Sequence, residues 1–197
     1  MRCRTHRGAA HGRAHRRFLS RLRHRAARRR MVLPHDHSPP SELPLAHVDI
    51  RQEIYNPQRT LSAADFRFPA DGAAFDTAAL VGLISHLRPA ELENYLAESA
   101  RVLRPGGQCF ATAYLVDDTV AANIARGTTA FEFTHDHGDY YVHSEEEPTY
   151  AIVYRLEHIL SVAERHGLRM RRDPRPGTWG VSTRRPASMD LLVLERT

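Results

Sequence analysis

The chain reads as an α/β protein with a parallel sheet, and three features between Phe75 and Tyr114 carry that reading. Phe75 to Ile84 (FDTAALVGLI) is a nearly uncharged run following an acidic turn, the pattern of a strand buried on both faces. Pro89-Ala90-Glu91 then opens a helix with its acid in the first turn. Leu92, Tyr95, Leu96, Ser99, Val102 and Leu103 fall along one face of it at i, i+3, i+4 spacing. Arg101 and Arg104 close that helix before a Pro-Gly-Gly break that cannot continue it, and Gln108 to Tyr114 is the next strand.

The elements after Tyr114 continue the alternation. Thr128 to Phe133 and Tyr140 to His143 alternate like a hairpin, with His135 to Asp139 as its polar loop. Tyr154 to His166 predicts a helix burying Leu156, Ile159, Leu160 and Ala163, with Gly167 as its stop. Leu168 to Arg172 and Met189 to Leu194 predict the last two strands.

The block from Asp65 to Asp117, with RVLRPGG at its centre, closely resembles the second half of a class I S-adenosylmethionine-dependent methyltransferase. The resemblance runs on in both directions. Upstream it takes in HVDIRQEIYNPQRTLSAADFRFP, His47 to Pro69. Downstream it takes in Phe131 to Phe133, the helix ending at Leu168, the GTWG of Gly177 to Gly180 and the closing MDLLVLER. It therefore covers about residues 47–197. It implies a Rossmann-like sheet whose last two strands form an antiparallel edge, and S-adenosylmethionine as cofactor. The first two strands of that sheet have no counterpart in the chain as written, so the expected domain is incomplete.

Residues 1–46 differ in kind. They hold twelve Arg against Asp36 and Glu42, a local charge of 12 − 2 = +10, while residues 47–197 hold 16 Arg and 21 acids, or −5. The basic pI of about 9.7 belongs to this leader. It reads as a disordered or helical segment with three competing explanations. It could be an Arg-rich arm that binds nucleic-acid phosphates, with only Phe18 to stack on bases. It could be a targeting peptide, amphipathic around Phe18-Leu19-Leu22, but not a secretory signal, because it lacks an apolar region of roughly 7–15 residues. Or it could be out-of-frame translation.

The genetic code bears on the third explanation. Read one base later, Met31-Val32 gives Trp without choice, and Met1-Arg2 with a CGN codon gives Cys. The following junctions permit Gly-Ala-Gly-Arg-Thr, like the glycine-rich cofactor loop of the family. Arg21 to Met31 permit Gly-Phe-Asp-Ile and a later Glu-Trp, like its second strand. Glu42 to Leu45 permit Asn-Phe-Arg, leading straight into His47-Val48-Asp49. A single insertion or deletion near Leu43 to Ala46 would produce this chain, so residues 1–46 are expected not to be a folded domain.

Open parallel sheets bind ligands beyond the carboxyl ends of their strands. The resemblance implies that Asp49 ends the third strand and accepts a hydrogen bond from the adenine amino group, with Ile50 packed on the ring. The alternative is that Asp49 caps a turn. Val81, Gly82 and Leu83 end the fourth strand and would line the methionine side of the cofactor, or else be ordinary strand core. His86 stands where the family has Thr-His-Met, here Ser85-His86-Leu87. It is the catalytic candidate, as a general base near the acceptor, against a role in packing the strand-to-helix turn. Tyr140, Tyr141 and Trp179 line a substrate pocket or pack the core. Loss of the glycine-rich loop would remove the close backbone approach to the cofactor and impair activity. It would also leave an unpaired fourth strand, with Leu80, Leu83 and Ile84 prone to aggregation.

Other classes recede. His135 to His137 repeats the HDH of His35 to His37, but without further ligands at zinc spacing it reads as a solvent-exposed loop, so no metal is expected. Cys3 and Cys109 do not form a credible disulfide pair, which fits a reduced cytoplasmic compartment. No apolar run approaches about 18 residues, so no membrane span is expected. The expected partner is a small-molecule substrate, with nucleic acid only through the leader.

Overall fold

The computed structural model describes residues 47–181 and 188–197. The leader and its three explanations lie outside the described residues. The chain divides into two units, Met1–Val48 and Asp49–Thr197, and the second contains all the regular structure described below.

Two four-stranded sheets make up this unit. The first has the order β1-β2-β8-β7, from β1 (Phe75–Leu80), β2 (Leu103–Ala113), β7 (Leu168–Arg175) and β8 (Asp190–Arg196). β1 and β2 run parallel, pairing Leu80 with Ala111. β8 is antiparallel to β2, with Ala113 opposite Asp190, and β7 is antiparallel to β8. The antiparallel edge implied by the resemblance is present.

Helix α1 (Pro89–Val102) carries the chain from β1 to β2. Proline stands at its first turn, and the Arg88 backbone N–H donates to Glu91 Oε2 at 2.7 Å, so an otherwise unmet donor is satisfied. Its buried face holds Leu92, Tyr95, Leu96, Ser99 and Val102, as the spacing predicts, and Leu103 is buried as the first residue of β2. The Pro-Gly-Gly break is a bulge within β2, where the ladder jumps from Phe75 opposite Leu103 to Thr77 opposite Gln108. Gly107 is required there, since a Cβ would sit 2.8 Å from the Arg104 carbonyl oxygen.

Arg101 does more than complement the helix end. Its guanidinium bonds the Ala70 and Phe68 carbonyls at 2.8 and 3.0 Å and pairs with Glu98 at 2.6 Å. Glu98 Oε2 in turn accepts from the Phe68 N–H at 2.7 Å. The incoming Phe66–Ala70 segment is thereby clamped to α1. The Arg101 hydrogen bond holds the Glu98 carboxyl below the ordinary carboxylate range. Its folded pKa is depressed, so this stabilisation is present above the unfolded value near 4.5 and is lost as pH falls through the folded one. Arg101→Ala is expected to cost roughly 3 kcal/mol at neutral pH, because it leaves a largely buried carboxylate unpaired. The deficit should shrink below pH 4, as read by urea melts across pH.

Several expectations for the first sheet change. The fourth-strand run ends at Leu80, not Ile84, because Gly82 adopts φ 65° and Ile84–His86 winds into a 3-10 turn. β1 is not buried on both faces: Asp76, Thr77 and Ala79 are exposed, and β2 is its only strand partner among the described residues. The edge expected for an incomplete sheet is therefore open there. Leu80 and Ile84 nevertheless lie inside the core at 5% and 0% exposure.

The second sheet departs further. Its order is β3-β6-β5-β4, from β3 (Leu115–Val116), β4 (His135–Asp136), β5 (Tyr140–Val142) and β6 (Ile152–Arg155). β5 pairs with His135–Asp136 and not with Thr128 to Phe133. The alternating aromatics of that segment instead turn inward as a cluster: Phe131 and Phe133 pack on Tyr114, and Phe133 also packs on Trp179. Helix α3 (Leu156–Arg165) starts two residues later than its periodicity predicts, since Tyr154 and Arg155 belong to β6. Tyr154 is fully buried and donates its hydroxyl to the Leu87 carbonyl at 2.6 Å. Ile159, Val162 and Ala163 are buried, and Gly167 at φ 75° ends the helix.

Candidate functional site

The carboxyl end of β1 forms an open turn. Val81 is 73% exposed, Gly82 donates its N–H to Thr112 Oγ1 at 2.8 Å, and Leu83 is half-buried beside the main core. An exposed valine at the end of a parallel strand lies where such sheets meet ligands. The tie to Thr112 fixes the turn against the last residues of β2.

Three residues on, His86 Nδ1 lies 2.8 Å from the Thr149 carbonyl oxygen. A carbonyl can only accept, so Nδ1 carries the proton and Nε2 is the ring's basic nitrogen. Tyr55 stands edge-on to the imidazole at a centroid distance of 5.6 Å. Arg88 pairs with Glu53 at 2.7 Å, and Glu53 also accepts from the Thr149 hydroxyl at 3.3 Å. This arrangement locks both the orientation and the tautomer of His86.

Asp49 is not at the end of a strand, because its neighbourhood forms only isolated bridges, Ile50 with Leu61 and Gln52 with Asn56. Its carboxylate takes Arg59 Nε at 2.9 Å and lies 3.4 Å from Asn56 Nδ2, which donates to the Ile50 carbonyl at 2.9 Å. Asp49 thus organises the turn that follows it. Ile50 packs half-buried against the main core.

Of one further cleft, sequence reasoning named only Trp179. A hollow of about 370 Å3 opens at the carboxyl end of β2. Leu115, Val116, Asp117, Leu156, Trp179 and Asp190 are among the residues that line it. Asp190 holds it together: Oδ2 accepts from the Leu115 N–H at 2.9 Å and Trp179 Nε1 at 2.7 Å, and Oδ1 from the Gly177 N–H at 2.7 Å. The Gly-Thr-Trp-Gly motif follows from this packing. A Cβ on Gly177 would lie 2.6 Å from the Met189 carbonyl carbon, and one on Gly180 would lie 2.8 Å from Val120 Cγ2. The sequence signal for Asp190 was its place as the only charge before an apolar strand, MDLLVL.

Residues 19–111 match the family described as a methyltransferase domain. That match, over a little under half of the chain, supports a class I methyltransferase. The match enters within the arginine-rich leader, so the family similarity is not confined to residues from His47 onward.

Solved methyltransferase structures show more distant likeness. An S-adenosylmethionine-dependent enzyme from Methanosarcina mazei is 13% identical, covering 72% of this chain and 71% of that one, with a TM-score of 0.43. A possible histamine N-methyltransferase from Thermotoga maritima is 13% identical over 73% and 67%, at 0.41. The 1,6-didemethyltoxoflavin-N1-methyltransferase of Burkholderia thailandensis is 14% identical over 69% of this chain, at 0.43. This chain spans 48% of that last enzyme's length.

The remaining candidates separate clearly. Trp179 lines the cleft, whereas Tyr140 stacks on His137 at 4.7 Å and Tyr141 takes a hydrogen bond from Arg155 at 2.8 Å, both in the second sheet. His135 and His137 flank the Glu145 carboxylate at 3.7 and 3.0 Å, and Asp136 to Asp139 are exposed, as expected of a polar surface loop. No group of three or more His, Cys, Asp or Glu among the described residues could hold a metal ion. Burial pushes the Cys109 thiol up to about 11, which makes it an inert core group with no reactive role. None of the helices among the described residues is long and apolar enough to cross a membrane.

Proposed function

We propose that this domain transfers a methyl group from S-adenosylmethionine to a small-molecule acceptor. The methyltransferase family match carries the reading. Val81, Gly82 and Leu83 would lie along the methionine side of the cofactor, which fits the exposed turn at the end of β1. Asp49 and Ile50 would meet the adenine. The Arg59 pair occupies one Asp49 oxygen, which leaves the other to accept from an amino group. His86, its Nδ1 proton held by Thr149, would serve as the base at Nε2, taking the proton that the acceptor sheds on methylation. The bound cofactor supplies an electrophilic methyl on sulfur; the protein's part is to hold it in line with the acceptor and exclude water.

Cofactor binding in this chain would be weak. The glycine-rich loop expected of such a domain has no counterpart in residues 1–46 as translated, and the open edge of β1 fits a sheet lacking its next strand. A family match that enters at residue 19 weighs for an in-frame leader, so the two accounts make opposite predictions. Resequencing codons 40–48 decides between them: an added or missing base supports the frameshift, and an unchanged frame ends it. In the frame-restored protein, His86→Gln is expected to lower kcat by about 10²-fold with KM for S-adenosylmethionine unchanged. An equal fall in kcat/KM without any change in kcat would remove His86 from the chemistry.

A further inference from the structure

We propose that the cleft at the carboxyl end of β2 is a binding site for a small aromatic or aliphatic amine. It takes the ligand in its cationic form, and it is the place from which the methyl acceptor is presented. The acceptor role rests on the methyltransferase reading; the binding itself does not.

Size and wall chemistry carry the first part. About 370 Å3 lies at the small end of the range for ligand pockets, roughly 300–1,000 Å3. The walls are mostly apolar, with Leu115, Val116, Val120, Leu156 and the edge of Trp179 contributing surface. A compact hydrophobic body is what such walls take up.

Charge carries the second part. Asp117 and Asp190 are the only ionisable residues lining the cleft among those described, and neither takes part in an ion pair there. Asp190 is occupied by its three donors, all of them uncharged N–H groups. Asp117 caps helix α2 (Asp118–Ala125) by accepting from the Val120 N–H through Oδ1, and its other oxygen is open to a ligand. Arg155, the nearest cation in sequence to Leu156, is committed to the Gly138 carbonyl and the Tyr141 hydroxyl in the other sheet. Among the described residues lining the cleft, an anionic ligand would meet two carboxylates and no counter-charge, whereas an ammonium would meet an acceptor at the rim.

Position carries the third part. Thr112, which holds Gly82 through its hydroxyl, precedes Ala113, the partner of Asp190 across the β2–β8 ladder. The turn assigned to the methionine side and the cleft therefore share one edge of the first sheet.

The chain has a single tryptophan, and it lines the cleft, so Trp179 emission reports occupancy without a label. The full chain, without cofactor, is titrated with three phenyl probes of equal ring and different charge: phenethylamine, 2-phenylethanol and phenylacetate. Excitation near 295 nm selects the indole. Phenethylamine should give a saturable change, with a dissociation constant roughly three- to fivefold below that of 2-phenylethanol, the size expected of one partly exposed charge pair. Phenylacetate should bind more weakly than both. Asp117→Asn keeps the helix cap, since Asn caps as well as Asp, and should bring phenethylamine to the affinity of the alcohol. Thr119→Phe, at an exposed position on the rim, should remove binding of all three.

Equal affinities for amine and alcohol, tighter binding of phenylacetate, or persistence of the signal in Thr119→Phe would each overturn the proposal. So would the absence of a saturable response to any probe. No cofactor and no methyl transfer enter this assay, so its failure leaves the methyltransferase reading standing. Amine binding by a chain that never transfers a methyl group would overturn only the acceptor role.

Discussion

Asp190→Ala should be one of the two most damaging single substitutions in the described fold. The carboxylate is 7% exposed and satisfies three donors from two parts of the chain: Leu115 N, and Gly177 N and Trp179 Nε1 of one loop. Each buried donor left unmet costs about 1–3 kcal/mol, so the expected loss is on the order of 4 kcal/mol. For a domain of this size that corresponds to a fall in Tm of roughly 10 °C. Asp190→Asn keeps an acceptor oxygen but can meet only part of the same set, so it should fall between wild type and alanine. Thermal unfolding followed by circular dichroism ranks the three proteins. Wild-type stability in Asp190→Ala would mean that water replaces the carboxylate and that the network is not structural.

Trp179→Ala should come next. The ring is 1% exposed and packs against Tyr114 at 5.1 Å and Phe133 at 5.7 Å, at the centre of the second aromatic cluster. Removing a buried ring of this size costs about 3–5 kcal/mol, and here it also takes one donor from Asp190. Trp179→Phe separates the terms, because it restores most of the ring and none of the N–H. Combined with Asp190→Ala, the alanine variant should be markedly less than additive, since the two share one hydrogen bond and one loop. Full additivity in urea melts would show that the bond contributes nothing and that only ring packing matters.

What the sequence made legible was whatever depends on local periodicity. α1, its capping acid, the Pro-Gly-Gly break and the two closing strands follow from residue spacing, and the structure places them close to expectation. The misses share a cause. Val81 to Ile84 is as apolar as a strand, but Gly82 turns the chain, and an apolar turn at a sheet edge has no signature of its own. Phe131 and Phe133 alternate as strand residues do, yet their rings are used in a cluster built with Trp179, some fifty positions away in the chain. Strand β6 was hidden because Tyr154 and Arg155 also fit the helical period of the segment that follows.

The site divides along the same line. Val81 to Leu83 were legible as site candidates, though not as a turn, because parallel sheets bind ligands at a predictable end. His86 was visible as a residue type, but its fixed tautomer depends on Thr149, and only the fold brings that carbonyl to it. The cleft around Asp190 depends on β3, the loop Gly177 to Val181 and the start of β8 converging, which no local pattern announces.

The central claim is that this is a methyltransferase domain that, in the frame given, lacks its main cofactor anchor. Calorimetric titration of the full chain with S-adenosylmethionine, beside the frame-restored chain, tests it most directly. The account predicts saturable binding by the restored chain in the micromolar range and none of comparable strength by the chain as given. Micromolar binding by the chain as given, with its reading frame confirmed, would contradict it.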